Sequence, residues 1–211
     1  MAALPRFPTP IPATMPPVTT ALIVANIAVY FLQQVAPSLQ FLFALWPVGT
    51  AGVSGGQAGF QPWQLVTYGF LHGDIFHLAF NMYGVYMFGS ALELVVGPRR
   101  YLSFYVVCVI AAAFAQLIFA RLSGGFYPTV GASGGVFGLM LAYAVYFPRN
   151  KLMLIFVPVP IPARVFVAIY AVLSLFLGVT GTQSGVAHFA HLGGLVGGAA
   201  MLFYWRKLGR R

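Results

Sequence analysis

An all-α, polytopic membrane protein of six transmembrane helices is the fold class that this 211-residue sequence predicts. Three observations carry that reading. Hydrophobic residues make up 60% of the chain and charged residues only 6%, against roughly 25% charged in a soluble domain, so most of the surface must face lipid. The apolar residues gather into stretches close to the ~20 residues that a helix needs to cross hydrocarbon. Ten of the eleven Lys and Arg residues fall on one side of a six-span arrangement, as expected where basic residues stay cytoplasmic.

Residues 1–17 are proline-rich and carry one arginine, Arg6, without the charged-then-apolar pattern and cleavage site of a signal peptide. They read as a disordered cytoplasmic lead, followed by one membrane domain over 18–207 and a basic cytoplasmic tail over 208–211, with no internal repeat. The first span is Thr19 to Val35. The long loop that follows, Ala36 to Asp74, holds Trp46, Pro47, Phe60, Pro62 and Trp63 but no Lys or Arg. It is expected outside, either as an ordinary loop or as a segment partly embedded at the interface, where Trp is enriched. Ile75 to Val96 forms the second span and Tyr101 to Ala120 the third. Gly131 to Phe147 is a shorter fourth, tolerable where its end is buried among other helices. Ile161 to Val179 and His188 to Trp205 complete the set.

With six spans both termini share a side. Arg6, Arg99, Arg100, Arg149, Lys151, Arg164, Arg206, Lys207, Arg210 and Arg211 lie there, and Arg121 alone lies opposite. Both termini are therefore placed in the cytoplasm, in a bacterial inner membrane. The net charge of +9 is a topology signal and a match to anionic head groups. Nucleic acid is excluded as a partner, because the charges are scattered among juxtamembrane loops and form no continuous patch. Cys108 is the only cysteine, which excludes an intramolecular disulfide or a thiolate metal site.

Ser133 stands in the run Gly131-Ala132-Ser133-Gly134-Gly135-Val136-Phe137-Gly138. A hydroxyl flanked by glycines at membrane depth points to chemistry, because polar groups in hydrocarbon are costly. The same run also suits close helix packing. A base at matching depth decides between the two. Ser133 lies sixteen residues before Arg149 and His191 fifteen before Arg206, which puts them about 24 Å and about 22 Å above the cytoplasmic side at ~1.5 Å per residue. Spans four and six run in the same direction, so the two side chains can meet if those helices are neighbours. Gly134 and Gly138 on one span, and Gly194 and Gly198 on the other, share the i, i+4 spacing of close helix contacts. Phe137, one turn after Ser133, either packs on the imidazole of His191 or faces core or lipid.

His77 and Asn81 are also i, i+4 and share a helical face. Asn81 counts to about 27 Å on the same scale. Together they can donate to an oxyanion, or simply hydrogen-bond across helices. Asp74 and Glu93 are the only carboxylates, and neither is placed to orient a base on the last span, so a serine hydrolase here uses a Ser-His dyad. Glu93 reads as a buried structural acceptor, with a proton pathway as the lesser role. His72 is expected at the interface. His188 and His191 are i, i+3, but no carboxylate or thiol cluster accompanies them, so no metal and no cofactor is expected.

Gly131-Ala132-Ser133-Gly134, Ala190-His191-Leu192-Gly193-Gly194, Phe70-Leu71-His72-Gly73 and His77-Leu78-Ala79-Phe80-Asn81-Met82 occur in this chain on spans two, four and six. In that combination the chain resembles the rhomboid family of intramembrane serine proteases, from Phe60 through Trp205. The resemblance implies a rhomboid-like fold with the loop after span one packed laterally into the membrane. It implies Ser133 as nucleophile, His191 as general base and acid, and His77, Asn81 and the Ser133 backbone amide as oxyanion donors, with Gly131, Phe137, Gly194, Gly198 and Glu93 in support. It further implies that span five and the loop before span six gate entry, and that the substrates are single-span membrane proteins cut in or near the span. A non-catalytic relative that binds transmembrane segments would lack the serine or histidine, and both are present. A small transporter lacks acidic residues in the other spans to carry ions.

Overall fold

The computed structural model describes residues 14–49, 59–154, 157–180 and 187–208. Most of the lead over 1–17 and of the tail over 208–211 lies outside the described residues, as does the stretch 50–58 of the long loop. The described elements run α1 (Pro17–Val35), α2 (Ser38–Phe43), α3 (Gln64–Thr67), a 3-10 turn (Tyr68–Phe70), α4 (Ile75–Gly84), a π-helical turn (Val85–Gly89), α5 (Ser90–Val96), α6 (Pro98–Ser123), α7 (Ser133–Tyr146), β1 (Lys151–Leu154), β2 (Val157–Pro162), α8 (Ala163–Thr180) and α9 (His188–Leu208).

Among the described residues, four helical stretches are long and apolar enough to cross a membrane: Pro17–Val35, Ile75–Val96, Pro98–Ser123 and Ala163–Thr180. The chain is a multi-pass membrane protein. α7 is a shorter apolar helix of 14 residues, and α9 has 21. α1 and α6 each open with proline at the first helical position, where the missing N–H has no partner to lose. α6 closes on Gly124 in the left-handed region, φ +71°. The second span is continuous from Ile75 to Val96 but includes the π-helical turn. Its two flanking glycines make room for neighbours: a Cβ on Gly84 would meet Val136 and one on Gly89 the Tyr101 hydroxyl.

The stretch before α8 departs from the sequence expectation. Ile161 belongs to β2, not to a helix, and the strands β1 and β2 form an antiparallel hairpin with Lys151 opposite Pro162 and Leu152 opposite Ile161. Val157, Val159 and Ile161 alternate with Pro158, Pro160 and Pro162. Prolines at every second position cannot enter a helix interior, while β-branched residues favour extended backbone.

The centre of the molecule is the packing of α6, α7 and α9 against one another. Within lipid, helices gain little from hydrophobic burial, and small residues that admit close backbone approach supply the contact. On α9, Gly194 and Gly198 face α7: a Cβ on Gly194 would fall on the Gly134 carbonyl, and one on Gly198 would lie 3.3 Å from Gly138 Cα. Gly193 and Gly197 face α6, where Ala111, Ala112, Ala115 and Cys108 stand. Gly138 is pressed from the other side by Cys108.

α1 is tied to this core by the Glu93 carboxylate, which is 3% exposed. It accepts from the backbone amides of Val18 and Thr19 at 2.9 and 2.8 Å and from the Thr19 hydroxyl at 2.8 Å. A negative charge on the first-turn amides of a helix is favourable, because those donors have no intrahelical partner.

Replacing Gly194 by Ala is expected to force α7 and α9 apart and to lower the melting temperature in detergent by an amount equivalent to about 1–3 kcal/mol, the range for overpacking a tight core. Val196→Ala, at an outward position that is 68% exposed, is expected to leave the melting temperature within a degree or two. Equal melting of the two variants would contradict the packing described.

Candidate active site

Gly131 has φ +127°, a conformation that a Cβ would strain, and its amide donates to the Tyr68 carbonyl at 2.9 Å. The turn places Ala132 as the N-cap and makes Ser133 the first residue of α7. The fourth helix therefore starts at Ser133 and not at Gly131, as the apolar stretch alone suggests. The difference matters chemically. A serine at a helix start has backbone amides of the first turn beside it that no intrahelical carbonyl can satisfy, and the positive end of the helix dipole faces the same point.

The loop that presents this turn is held from two sides. Leu45 and Thr129 form an antiparallel bridge, with N···O distances of 3.0 and 2.9 Å. The Leu45 segment is fixed in turn by Gln64, which is 1% exposed. Its side-chain oxygen accepts from the amides of Trp46 and Gln61, and its nitrogen donates to the carbonyls of Leu42 and Gly59. Tyr68 donates its hydroxyl to Val109 of α6 at 2.8 Å. Gln64 and Tyr68 are buried anchors of the site that sequence reasoning missed. A lone Gln beside two tryptophans in a loop carries no periodic signal.

The structure brings Ser133 and His191 together: Oγ and Nε2 are 2.9 Å apart. Phe137 stacks on the His191 ring, with centroids 4.2 Å apart and an interplanar angle of 9°. Nδ1 of His191 is buried with no hydrogen-bond partner among the described residues. Neither carboxylate approaches it. Glu93 holds α1, and Asp74 caps α4 by accepting from the His77 amide at 2.8 Å. His188 meets His191 edge to face with centroids 6.0 Å apart.

His77 and Asn81 line the same cavity as Ser133 and His191. His77 Nδ1 accepts from the Gly73 amide at 3.4 Å. That leaves Nε2 as the protonated nitrogen of the neutral ring. Nε2 looks at Gly131: a Cβ built there would lie 2.8 Å from it and 3.8 Å from Ser133 Oγ. Gly131 thus keeps open the space that His77 and Ser133 share. Asn81 donates one amide proton to the His77 carbonyl at 2.9 Å, leaving its second free. His72, expected at the interface, is 2% exposed. Its backbone is paired with Gln33 of α1, and its ring meets His77 at 5.1 Å. Burial, with His77 alongside, lowers its pKa to about 4.

The cavity has a volume of about 840 Å³ and runs from Ser133 and His191 along α7 as far as Met140, walled by α4 and the π-helical turn on one side and by Phe166 and Tyr170 of α8 on the other. Its lining is mainly apolar and aromatic, with Phe76, Phe80, Tyr83 and Met87 on the α4 side. Such a space suits an apolar polypeptide segment with a few convergent polar groups at one end. Among the described residues no cluster of three or more His, Cys, Asp or Glu side chains is arranged to hold a metal ion.

Comparison with known proteins gives a consistent outcome. The family description Rhomboid domain matches residues 59–208. The chain is 31% identical to Rhomboid protease GluP of Bacillus subtilis over 136 residues, 64% of this chain and 24% of that protein. It is 28% identical to the human Presenilin-associated rhomboid-like protein, mitochondrial, over 193 residues, 90% of this chain and 48% of that one. Against Rhomboid protein 1, mitochondrial, of Saccharomyces cerevisiae it is 30% identical over 141 residues, 65% of this chain and 40% of that one. The chain thus spans between a quarter and a half of the length of these curated relatives. The matched domain runs from just before Phe60 to the end of α9 and contains every side chain that meets at Ser133, and on that match the chain belongs to the rhomboid family.

Proposed function

We propose that this chain is an intramembrane serine endopeptidase that hydrolyses peptide bonds in or near the transmembrane segments of single-span membrane proteins. The observation that carries the reading is the 2.9 Å contact between Ser133 Oγ and His191 Nε2 in the lining of an apolar cavity. Membership of a family that includes a named protease supports it.

In this reading the Ser133 hydroxyl donates to His191 Nε2, which takes the proton as Oγ attacks the peptide carbonyl carbon. The negative charge that develops on the carbonyl oxygen lies against the Ser133 amide, His77 Nε2–H and the free Asn81 amide proton. Donors fixed before the reaction stabilise the transition state without reorganisation. His191 then gives the proton to the leaving amine. The peptide carbonyl is left as an ester on Ser133, and water attacks it with His191 again accepting the proton. No carboxylate supports His191, so the ring is held by its stack on Phe137 and by the backbone of α9.

The substrate segment lies in the cavity between α4 and α8, which makes α8 the wall that must yield for entry; the stretch 181–186 before α9 lies outside the described residues. Six spans with both termini cytoplasmic place Ser133 toward the outer side. The exposed Phe41, Leu42 and Trp63 suit a loop resting at the membrane interface. A bacterial inner membrane fits the distribution of basic residues. A non-catalytic reading has no observation in its favour, since Ser133 and His191 are both present and in contact.

Purified protein in liposomes is expected to cleave a single-span reporter, with Ser133→Ala and His191→Ala each abolishing turnover while retaining the melting temperature. Cleavage that persists in Ser133→Ala would sink the assignment. Asn81→Ala is expected to lower kcat by about 10- to 1000-fold with little change in KM, the signature of a group that acts in the transition state. A change confined to KM would remove Asn81 from that role.

A further inference from the structure

α8 buries Ala163, Phe166, Val167 and Ser174 against the rest of the molecule. Its opposite face presents a shallow, open apolar surface formed by Val165, Ala168, Ile169, Val172, Leu173 and Phe176, with Arg164 at one end. This face is open: Val172 is 68% and Phe176 59% exposed. From Arg164 to Phe176 the helix rises about 18 Å. That is close to the ~15 Å of a single leaflet of the hydrocarbon core.

The cationic end is reinforced by the hairpin. Ala163 donates its amide to the Asn150 carbonyl at 2.8 Å, and Lys151 pairs with Pro162, so Arg149 and Lys151 are brought back beside Arg164. All three are exposed. The chain holds two carboxylates in total, and both are engaged elsewhere, Asp74 on the His77 amide and Glu93 on the amides of α1. No acidic side chain remains to neutralise this cluster. Among the described residues nothing supplies its counter-charge.

We propose that the outer face of α8 is a binding site for an anionic phospholipid. The phosphate sits at Arg164 and Lys151, and one acyl chain lies along Val165, Ile169, Val172 and Phe176. A cation at the head-group level beside an apolar helix face of one leaflet's length matches both halves of that molecule. α8 presents Phe166 and Tyr170 to the catalytic cavity, so a seated lipid buttresses one wall of the site. That consequence rests on the peptidase reading, whereas binding itself does not.

The test reads lipid and not cleavage, so that the two proposals fail separately. Full-length protein in detergent is equilibrated with equimolar phosphatidylglycerol and phosphatidylcholine of identical acyl chains, and retained lipid is counted by native mass spectrometry. Wild type is expected to retain phosphatidylglycerol about tenfold over phosphatidylcholine. Arg164→Gln combined with Lys151→Gln is expected to bring the ratio near one, and Ala168→Phe, which sets a bulky ring in the path of the acyl chain, to reduce retention of both lipids. Arg164→Lys keeps the charge and should keep most of the preference, which separates a lost site from a misfolded protein. Arg121→Gln, at the far end of α6, should leave the ratio as in wild type. A preference that survives the double substitution, no preference in wild type, or an equal loss in Arg121→Gln would each overturn the proposal.

Discussion

The close approach of α7 and α9 is the constraint on which the rest of the site depends. Their backbones touch where Gly194 lies against the Gly134 carbonyl, a spacing that no side chain at Gly194 would allow. Gly134 follows Ser133 directly, and Gly194 is one turn beyond His191. The contact that sets the distance between the helices is therefore adjacent to the pair whose distance matters. α6 closes the arrangement from behind with Ala111, Ala112, Ala115 and Cys108 against the second glycine face of α9. In a solvent where apolar surface is nearly indifferent to burial, this small-residue packing does what a hydrophobic core does in water.

Polar groups are few, and each has a specific place. Both carboxylates satisfy helix N-termini, Asp74 on α4 and Glu93 on α1, where they offset orphan amides that lipid cannot. That disposition leaves His191 without a charged orienter, and Phe137 takes over the steric part of the task. Gln64, Gln33 and Tyr68 knit loop backbone to helix. The outcome is a Gly131 turn anchored on one side by Tyr68 and on the other by the Leu45–Thr129 bridge. Rigid support of this kind is what an arrangement of donors needs if it is to act without reorganising.

Much of this was legible in the chain because a membrane imposes depth as a coordinate. Counting residues from Arg149 and Arg206 places Ser133 and His191 at one level, since helical rise is constant and basic residues mark the interface. The paired glycines of α7 and α9 announce a close contact by their spacing. The second glycine face of α9, Gly193 and Gly197 against α6, has the same spacing, which does not by itself name the helix it meets. Other features depend on geometry that spacing does not encode. The start of α7 at Ser133 follows from the positive φ at Gly131. The bridge from Leu45 to Thr129 joins segments far apart in sequence. The hairpin of β1 and β2 left a period-two trace in the alternating prolines of β2, which the high hydropathy of the neighbouring span obscured.

The account's central claim is that Ser133 is a nucleophile made reactive by His191. The most direct measurement is labelling of the intact protein by a fluorophosphonate, with the modified residue located by peptide mass spectrometry. The account predicts a single adduct on Ser133 in wild type, and at least a hundredfold slower labelling in His191→Ala, in line with the 10²–10⁴-fold effect of a positioned base. An adduct on another residue, or labelling of Ser133 at the same rate without His191, would contradict it.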